Sequence, residues 1–314
     1  MRETAQPGVI ARGMTLWQRL QRTRPYRTFS HFTDVGGSVL SGGMSYQALF
    51  AVFAGLLVGF SIFGIVLRGQ PELLAAMIEQ INVFVPGLLG DDDAAVPVKS
   101  LFTTRTLDWT TLIAGLSLVW IAINWFTGTR RSIRIIFGLE VKEYRNAVLL
   151  KIRDLALAVG FFLAIIISAV LVLVSSNLTD MLLSWLGVSS ENWFFGGLGT
   201  VVRYGAMYLF DVLVLVAIHR YLAEVRIGWW NLVTGCMLGA AALFGLKLLG
   251  TALLGGATSN PLLAPFAIFV GLLLWFNFIC RALLLTSAWI ATGLDSELGL
   301  PENAEAGSAI RLLE

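Results

Sequence analysis

The sequence carries little charge. Only 13% of its 314 residues are Asp, Glu, Lys or Arg, about half the share found in soluble globular proteins. Hydrophobic residues make up 57% of the chain, and the mean hydropathy is +0.78. This balance excludes a large soluble domain. Since many apolar residues stand in blocks of membrane-crossing length, about 20 residues each, the composition indicates a polytopic membrane protein.

Cysteine and histidine are also scarce. The two cysteines, Cys236 and Cys280, lie inside apolar blocks, a pattern that gives neither a disulfide framework nor a metal site. The phosphate-binding pattern GxxxxGK[ST] and the zinc pattern HExxH are both missing, and so is a GxSxG nucleophile elbow. We therefore expect no enzyme, with no catalytic residue, metal or cofactor, and no ATPase of its own.

Six apolar segments are long enough to cross a membrane as helices. They comprise residues 45–67, 109–127, 155–176, 201–222, 231–254 and 264–291. We therefore expect an all-α fold, a polytopic membrane helix bundle with six transmembrane helices in domain 45–291. The basic segment 1–44 before it is predicted to stay in the cytoplasm rather than to form a cleaved signal peptide. A cytoplasmic tail, 292–314, follows it.

Two further segments are predicted to be amphipathic helices at the membrane surface. Residues 71–85, PELLAAMIEQINVFV, begin with a Pro-Glu helix opening and repeat apolar residues at helical spacing. This pattern predicts an extracytoplasmic helix that lies flat or packs on the bundle. Residues 14–24, MTLWQRLQRTR, combine apolar side chains with arginines. Such a segment either lies on an anionic leaflet or only enforces the topology.

The distribution of basic residues predicts the orientation. Sixteen Lys and Arg residues fall in the N-terminal segment, the loops after the second and fourth spans (with Arg220 at the edge of the latter), and the tail, whereas the other loops hold only Arg68, Lys99 and Arg105. Loops rich in Lys and Arg stay in the cytoplasm. Both termini are therefore predicted to be cytoplasmic.

Charged side chains also occur within the last three predicted spans. Such charges are costly, and they usually face the bundle interior or a water-filled pathway. Tyr204, Tyr208 and Asp211 share one helix face, as do Asn277 and Arg281, because three or four residues separate neighbours on a face. We therefore predict a polar cavity between the last three helices. The predicted substrate-binding residues are Arg281, Asn277, Asp211, Lys247, Tyr208, Tyr204 and Asn124.

A structural role is the alternative for the same side chains. Asp211 could pair with Lys247 or Arg281 and hold helices together, and long basic side chains can also extend toward the headgroups. Two GxxxG patterns, at Gly55 and at Gly235, would let helices approach closely. Packing within the chain is the first interpretation of these patterns, and homo-oligomerisation is the second.

The order of several segments resembles the BrkB/YihY family of inner-membrane proteins, most closely its YhjD-type branch. The similarity extends over residues 30–293. The segments that carry it are SGGMSYQALFAVFAGLLVGFSIFG, FTGTRRSIRIIFGLE, RDLALAVGFFLAIIISAVLVL, GWWNLVTGCMLGAAALFGLKLLG and LLLWFNFICRALLLTSAWIA. The family often has Gly-Ala-Glu in the last span, where this chain has Ser287-Ala288-Trp289. A role for that glutamate therefore does not transfer.

The resemblance implies a multi-pass protein of the bacterial inner (plasma) membrane. Family members are linked to envelope integrity, serum resistance, virulence and the export of lipid precursors. An older label for the family is ribonuclease BN. Nothing in these residues supports a nuclease, and cytoplasmic arginines alone only attract anions, so we expect no nucleic-acid partner.

The first function hypothesis is a transporter or flippase-like protein for a lipid or other anionic amphiphile in envelope biogenesis. Arg281 and Lys247 would contact the anionic headgroup, and membrane lipids would be the partners. The alternative is a non-transporting membrane scaffold that binds envelope enzymes. A membrane enzyme or nuclease is the weakest hypothesis, since the sequence offers neither a nucleophile nor a metal shell.

Overall fold

The computed structural model describes residues 17–19, 21–85, 87–90, 94–101, 109–139, 146–185, 193–225, 227–254 and 264–297. It describes only the backbone of residues 61–68, 83–84, 101, 109–112, 114, 168–185, 193–203, 251–254, 264–268 and 295–297. The first part of the predicted N-terminal segment (residues 1–16, and residue 20) and the last part of the predicted tail (298–314) therefore lie outside the described residues.

Helices account for nearly all of the described chain, as the apolar blocks predict. In chain order they are α1 (Arg24–Asp34), α2 (Gly37–Arg68), α3 (Pro71–Phe84), α4 (Val98–Leu101), α5 (Trp109–Ile136), α6 (Ala147–Trp185), α7 (Trp193–Ala217), α8 (Trp229–Leu254) and α9 (Ala264–Glu297). A π-helical turn, Ile218–Leu222, continues α7. Two short strands, β1 (Leu89–Gly90) and β2 (Val96–Pro97), pair in parallel between α3 and α4.

Within the described residues, four helices are long and apolar enough to cross a membrane. These candidate spans are Gly37–Phe60, Tyr204–Leu222, Trp229–Gly250 and Phe269–Leu294. An all-α membrane protein is thereby confirmed, but the prediction of six spans is not. The two predicted spans that are not among the four, 109–127 and 155–176, fall on α5 and α6.

Residues around Gly37 explain why α2 begins before the predicted span. Val35 and Gly36 end α1, and Gly36 has a φ of +74°, a left-handed conformation that glycine adopts without the strain of a Cβ atom. A Cβ atom on the next residue, Gly37, would overlap the ring of Phe32. These two glycines therefore let the chain turn tightly into α2.

The basic loop predicted between the second and third spans differs from the structure. Helix α5 continues to Ile136, and the chain leaves it through Gly138, which has a φ of +64°, a common helix ending. Arg130 and Arg134 lie on this extension and are each only 5% exposed. Two of the charges counted as loop residues are therefore buried parts of a helix.

The bundle has two buried apolar clusters. One joins α1, α2, α5, α7, α8 and α9 and includes Ile133, Leu215 and Leu284. The other joins α2, α3 and α9 and includes Phe60, Met77 and Trp275. The amphipathic helix α3 packs against α2 and α6, so it lies on the bundle. Large apolar side chains such as Leu116 and Trp230 stay exposed, as residues that face lipid do.

Helices α8 and α9 pack closely at the second GxxxG pattern. A Cβ atom on Gly235 would overlap Ile290, and one on Gly239 would overlap Thr286. Small residues at this spacing allow two helix backbones to approach. In this structure the pattern serves packing within the chain.

Candidate functional site

Asp211 and Lys247, two of the predicted site residues, form an ion pair between α7 and α8. The Lys247 ammonium donates to both carboxylate oxygens of Asp211, over 2.7 and 2.9 Å. The side chains of Lys247 and Asp211 are only 10% and 4% exposed. The two charges therefore compensate each other inside the bundle, and this contact joins the two helices.

Tyr208 and Tyr204 lie on the same face of α7 as Asp211 and also turn toward α8. The Tyr208 hydroxyl donates to the carbonyl oxygen of Met237 over 2.8 Å. The Tyr204 ring stands edge-on to Phe244, with 5.7 Å between centroids. The predicted polar face therefore consists largely of contacts between two helices.

Arg281 has a different environment from Lys247. It is exposed, as are its α9 neighbours Leu274 and Phe278, whereas Asn277 is half-buried. Within the part of the chain that the structure describes, neither Arg281 nor Asn277 has a hydrogen bond or ion pair. The inner face of α9 is filled by residues such as Cys280. The prediction that the bundle shields Arg281, near Asp211 or Asn277, differs from its exposed position. Of the two partners predicted for Asp211, the structure shows Lys247 and not Arg281.

Asn124, the last predicted site residue, belongs to a separate polar network between α5 and α6. Its side-chain oxygen accepts a hydrogen bond of 2.7 Å from the Lys151 ammonium, which also donates to the Thr127 hydroxyl over 3.0 Å. Thr127 in turn donates to Asp154 over 2.7 Å. Arg130 completes the network with a 3.1 Å ion pair to the other oxygen of Asp154.

Burial and charge act in opposite directions in this network. Burial raises the pKa of Asp154, against the Thr127 hydrogen bond and the positive charges of Arg130 and Lys151. Burial also lowers the pKa of Lys151, although the charge of Asp154 opposes that shift. Lys151 and Asp154 lie outside the predicted spans, so the network was not predicted from the sequence, although their spacing of three residues puts them on one helix face.

An apolar crevice lies between α2, α5 and α6, beside this network. Its volume is about 390 Å³, within the range of about 300–1,000 Å³ typical of small-molecule sites. Each helix contributes small or aliphatic residues to its walls. The lining residues are Ala54, Gly55, Val58, Gly59, Leu118, Val119, Ala122, Ile123, Leu155, Ala158, Val159, Phe162 and Leu163.

His219 and Ser287 form a buried contact that the sequence analysis did not find. His219 Nδ1 lies 2.8 Å from the Leu215 carbonyl oxygen, to which it must donate. Its Nε2 then accepts from the Ser287 hydroxyl, 2.9 Å away. Both side chains are 0% exposed. Because no substrate can reach them, the pair joins the π-helical turn to α9 rather than acting as a nucleophile and its base.

Comparisons with known proteins give a family match over most of the chain. The family model described as virulence factor BrkB matches residues 28–306. An uncharacterized protein of Dickeya dadantii (strain 3937) is 25% identical over 289 residues, which is 87% of this chain and 86% of that protein. The inner membrane protein YhjD of Escherichia coli (strain K12) is 24% identical over 277 residues, 85% of this chain and 79% of that protein. No solved structure matches the chain.

Proposed function

The chain belongs to the BrkB/YihY family of membrane proteins, and from this premise we propose that it is a transporter or flippase-like protein for a lipid or another anionic amphiphile in envelope biogenesis. The family resemblance found in the sequence is thereby confirmed. In this proposal the protein has no ATPase of its own and catalyses no chemical reaction. Its partners are the lipids around it, and it has no nucleic-acid ligand.

The observation that carries the proposal is the position of Arg281. It is the thirteenth residue of the 26-residue candidate span Phe269–Leu294 and is exposed. A charged side chain at the centre of a membrane helix costs about 2.5–3.5 kcal/mol on insertion scales. An anionic headgroup that passes this depth would offset that cost. The half-buried amide of Asn277, one turn away, would supply a further hydrogen-bond donor.

The Asp211–Lys247 pair has a different part in the proposal. Because Lys247 is bound to Asp211, it does not attract a headgroup in the described state. We assign the pair to holding α7 against α8, so that Arg281 is the contact for the headgroup. Of the binding residues predicted from the sequence, this assignment keeps only those on α9 as contacts for the headgroup.

The proposal includes the topology predicted from the sequence. Helices α5 and α6 would cross the membrane together with the four candidate spans, which gives six spans in the bacterial inner membrane. Both termini would lie in the cytoplasm, and α3 would lie on the outer side. The asymmetric distribution of Lys and Arg among the loops supports this orientation.

The proposal can be tested by exchanging the arginine for a neutral side chain of similar length. We would purify the wild type and Arg281→Gln in mild detergent and identify the lipids that copurify by mass spectrometry. We expect one anionic lipid class to be enriched with the wild type and to copurify in a clearly smaller amount with the folded variant. Arg22→Gln, which changes an exposed arginine before α1, should keep the wild-type lipids.

Reconstituted vesicles then separate transport from binding. Wild-type protein should move a fluorescent analogue of the enriched lipid between leaflets, and Arg281→Gln should not. If the folded variant keeps both the lipids and the transport rate, Arg281 is not the headgroup contact. Binding without any movement by the wild type would favour the scaffold hypothesis instead.

A further inference from the structure

The crevice between α2, α5 and α6 combines an apolar wall with an open side. Its α6 wall includes Leu155, Val159 and Leu163, which are 39%, 51% and 44% exposed. Eight residues separate the first and last of these positions, which corresponds to about 12 Å along a helix. With α5 and α6 crossing the membrane as proposed above, the open side of this narrow apolar slot faces the hydrocarbon region and suits one acyl chain.

Two glycines of α2, Gly55 and Gly59, line this slot. A Cβ atom on Gly59 would overlap the ring of Phe162, so this α6 side chain reaches the surface of α2 there. By contrast, nothing lies within 4 Å of a Cβ atom built on Gly55, one turn away. The three helices therefore leave open space beside Gly55, whereas the ring of Phe162 lies against Gly59.

The polar network forms one end of the crevice. Lys151 stands one turn before Leu155 on α6, and Asn124 directly follows Ile123 on α5. Their side chains meet at 2.7 Å. The Lys151 ammonium also lies 4.9 Å from the ring centroid of Trp120, an exposed tryptophan of the kind that sits at membrane interfaces.

The charge at this end is positive. Arg130, Arg131 and Lys151 are close enough for the charges of both arginines to affect the pKa of Lys151. Against these three cations stands Asp154, which is 0% exposed and already bound by Arg130 and Thr127. The exposed side chain of Arg131 therefore adds a positive charge that no described acid of this network compensates.

Lys151 also has a hydrogen-bond donor to spare in this network. An ammonium group carries three N–H donors, and the described contacts of Lys151 with Asn124 and Thr127 use two of them. A phosphate oxygen could accept from the third. An anion there would favour the charged form of Lys151, against the burial and the neighbouring arginines that lower its pKa.

We propose that this crevice is a binding site for one anionic phospholipid of the surrounding bilayer. One acyl chain lies between α2, α5 and α6, and the phosphate contacts Lys151 and Arg131. By the predicted orientation this is a lipid of the cytoplasmic leaflet. The site is separate from Arg281, and it exists whether or not the protein transports lipids.

Native mass spectrometry of the purified full chain tests the proposal. We would titrate the protein in detergent with phosphatidylglycerol and, separately, with phosphatidylcholine of the same acyl chains. The wild type should retain one phosphatidylglycerol more tightly than phosphatidylcholine. Lys151→Gln should bind phosphatidylglycerol about fivefold more weakly, since one basic side chain near a membrane surface contributes roughly 1 kcal/mol.

Two more variants keep the test decisive. Arg131→Gln changes an exposed side chain and should weaken the binding of phosphatidylglycerol to a similar degree, even if Lys151→Gln does not fold. Ala122→Phe places a ring in the crevice and should remove both lipids. Its control, Ala241→Phe, adds the same ring to an exposed position on α8 and should bind like the wild type, as should Arg22→Gln.

The outcomes also separate this site from the one at Arg281. Arg281→Gln should keep the crevice lipid even if it abolishes lipid movement. If Arg281→Gln removes the tight lipid while Ala122→Phe keeps it, the lipid sits on α9 and the crevice proposal is wrong. Unchanged preference for phosphatidylglycerol in both Lys151→Gln and Arg131→Gln would also overturn it.

Discussion

Asp211 and Lys247 make a neutral contact out of two charges that would each be costly alone. The pair is almost fully buried, and both carboxylate oxygens accept from the same ammonium. In such a pair the loss of one partner leaves a buried charge without compensation, which is more damaging than the loss of both. The stability of single and double variants therefore reveals whether the pair acts as a clamp.

We predict that Asp211→Asn and Lys247→Met each destabilise the protein by about 3–5 kcal/mol. The double variant should be more stable than either single variant, because neither charge is then left alone. Thermal unfolding in detergent would measure these differences, with Lys99→Met, a change at an exposed lysine, as the control. If the loss of stability in the double variant equals the sum of the losses in the two single variants, the two side chains act independently.

Among the predicted site residues, the chemistry was easier to predict than the direction of each side chain. Hydropathy identified Asp211, Lys247 and Arg281 as charges at membrane depth, and spacing put Tyr208 on the face of Asp211. Which partner Asp211 takes depends on how α7, α8 and α9 rotate and cross. Residue spacing within one helix does not contain that information, so the exposed position of Arg281 could not be predicted.

Helix α8 carries two glycines with different surroundings, and they offer a matched comparison within one element. Gly239 lies against Thr286 of α9, so that a Cβ atom would overlap it, whereas nothing lies within 4 Å of a Cβ atom at Gly245. Alanine is more favourable than glycine in a helix interior by about 1 kcal/mol. Overpacking a tight contact instead costs about 1–3 kcal/mol.

We therefore predict opposite effects for the same substitution at the two positions. Gly239→Ala should lower the unfolding temperature, since α8 and α9 must move apart or Thr286 must shift. Gly245→Ala should leave it unchanged or raise it, since only the helix propensity changes. Thermal unfolding in detergent measures both. A loss of stability at Gly245 and none at Gly239 would contradict the packing of α8 on α9.

The length of α5 explains why the polar network between α5 and α6 was not predicted from the sequence. Hydropathy ends the second predicted span at residue 127, shortly before the first charge, but α5 continues through Arg130 and Arg134. These arginines are buried because Asp154 and the Ala223 carbonyl oxygen accept their hydrogen bonds. A cluster of positive charges in the sequence predicts a loop. Only the groups across the bundle that accept their hydrogen bonds show that these arginines belong to a packed helix.

At the scale of the whole molecule, the number of spans depends on α5 and α6. If α5 crosses the membrane, the residues on its two sides must face different compartments. Lys99 precedes α5 and Asn146 follows it, and both are exposed. With six spans and cytoplasmic termini, Lys99 faces the outside and Asn146 the cytoplasm. With the four candidate spans alone, the two residues share one side.

Cysteine labelling in intact cells distinguishes these topologies. The two native cysteines, Cys236 and Cys280, are buried and would first be changed to alanine. A membrane-impermeant maleimide should then label Lys99→Cys but not Asn146→Cys or Arg22→Cys, and all three should react once the membrane is opened. Labelling at both Lys99→Cys and Asn146→Cys, or at neither, would mean that α5 does not span the membrane. The crevice between α2, α5 and α6 would then not face the hydrocarbon region, so this result also bears on the lipid site.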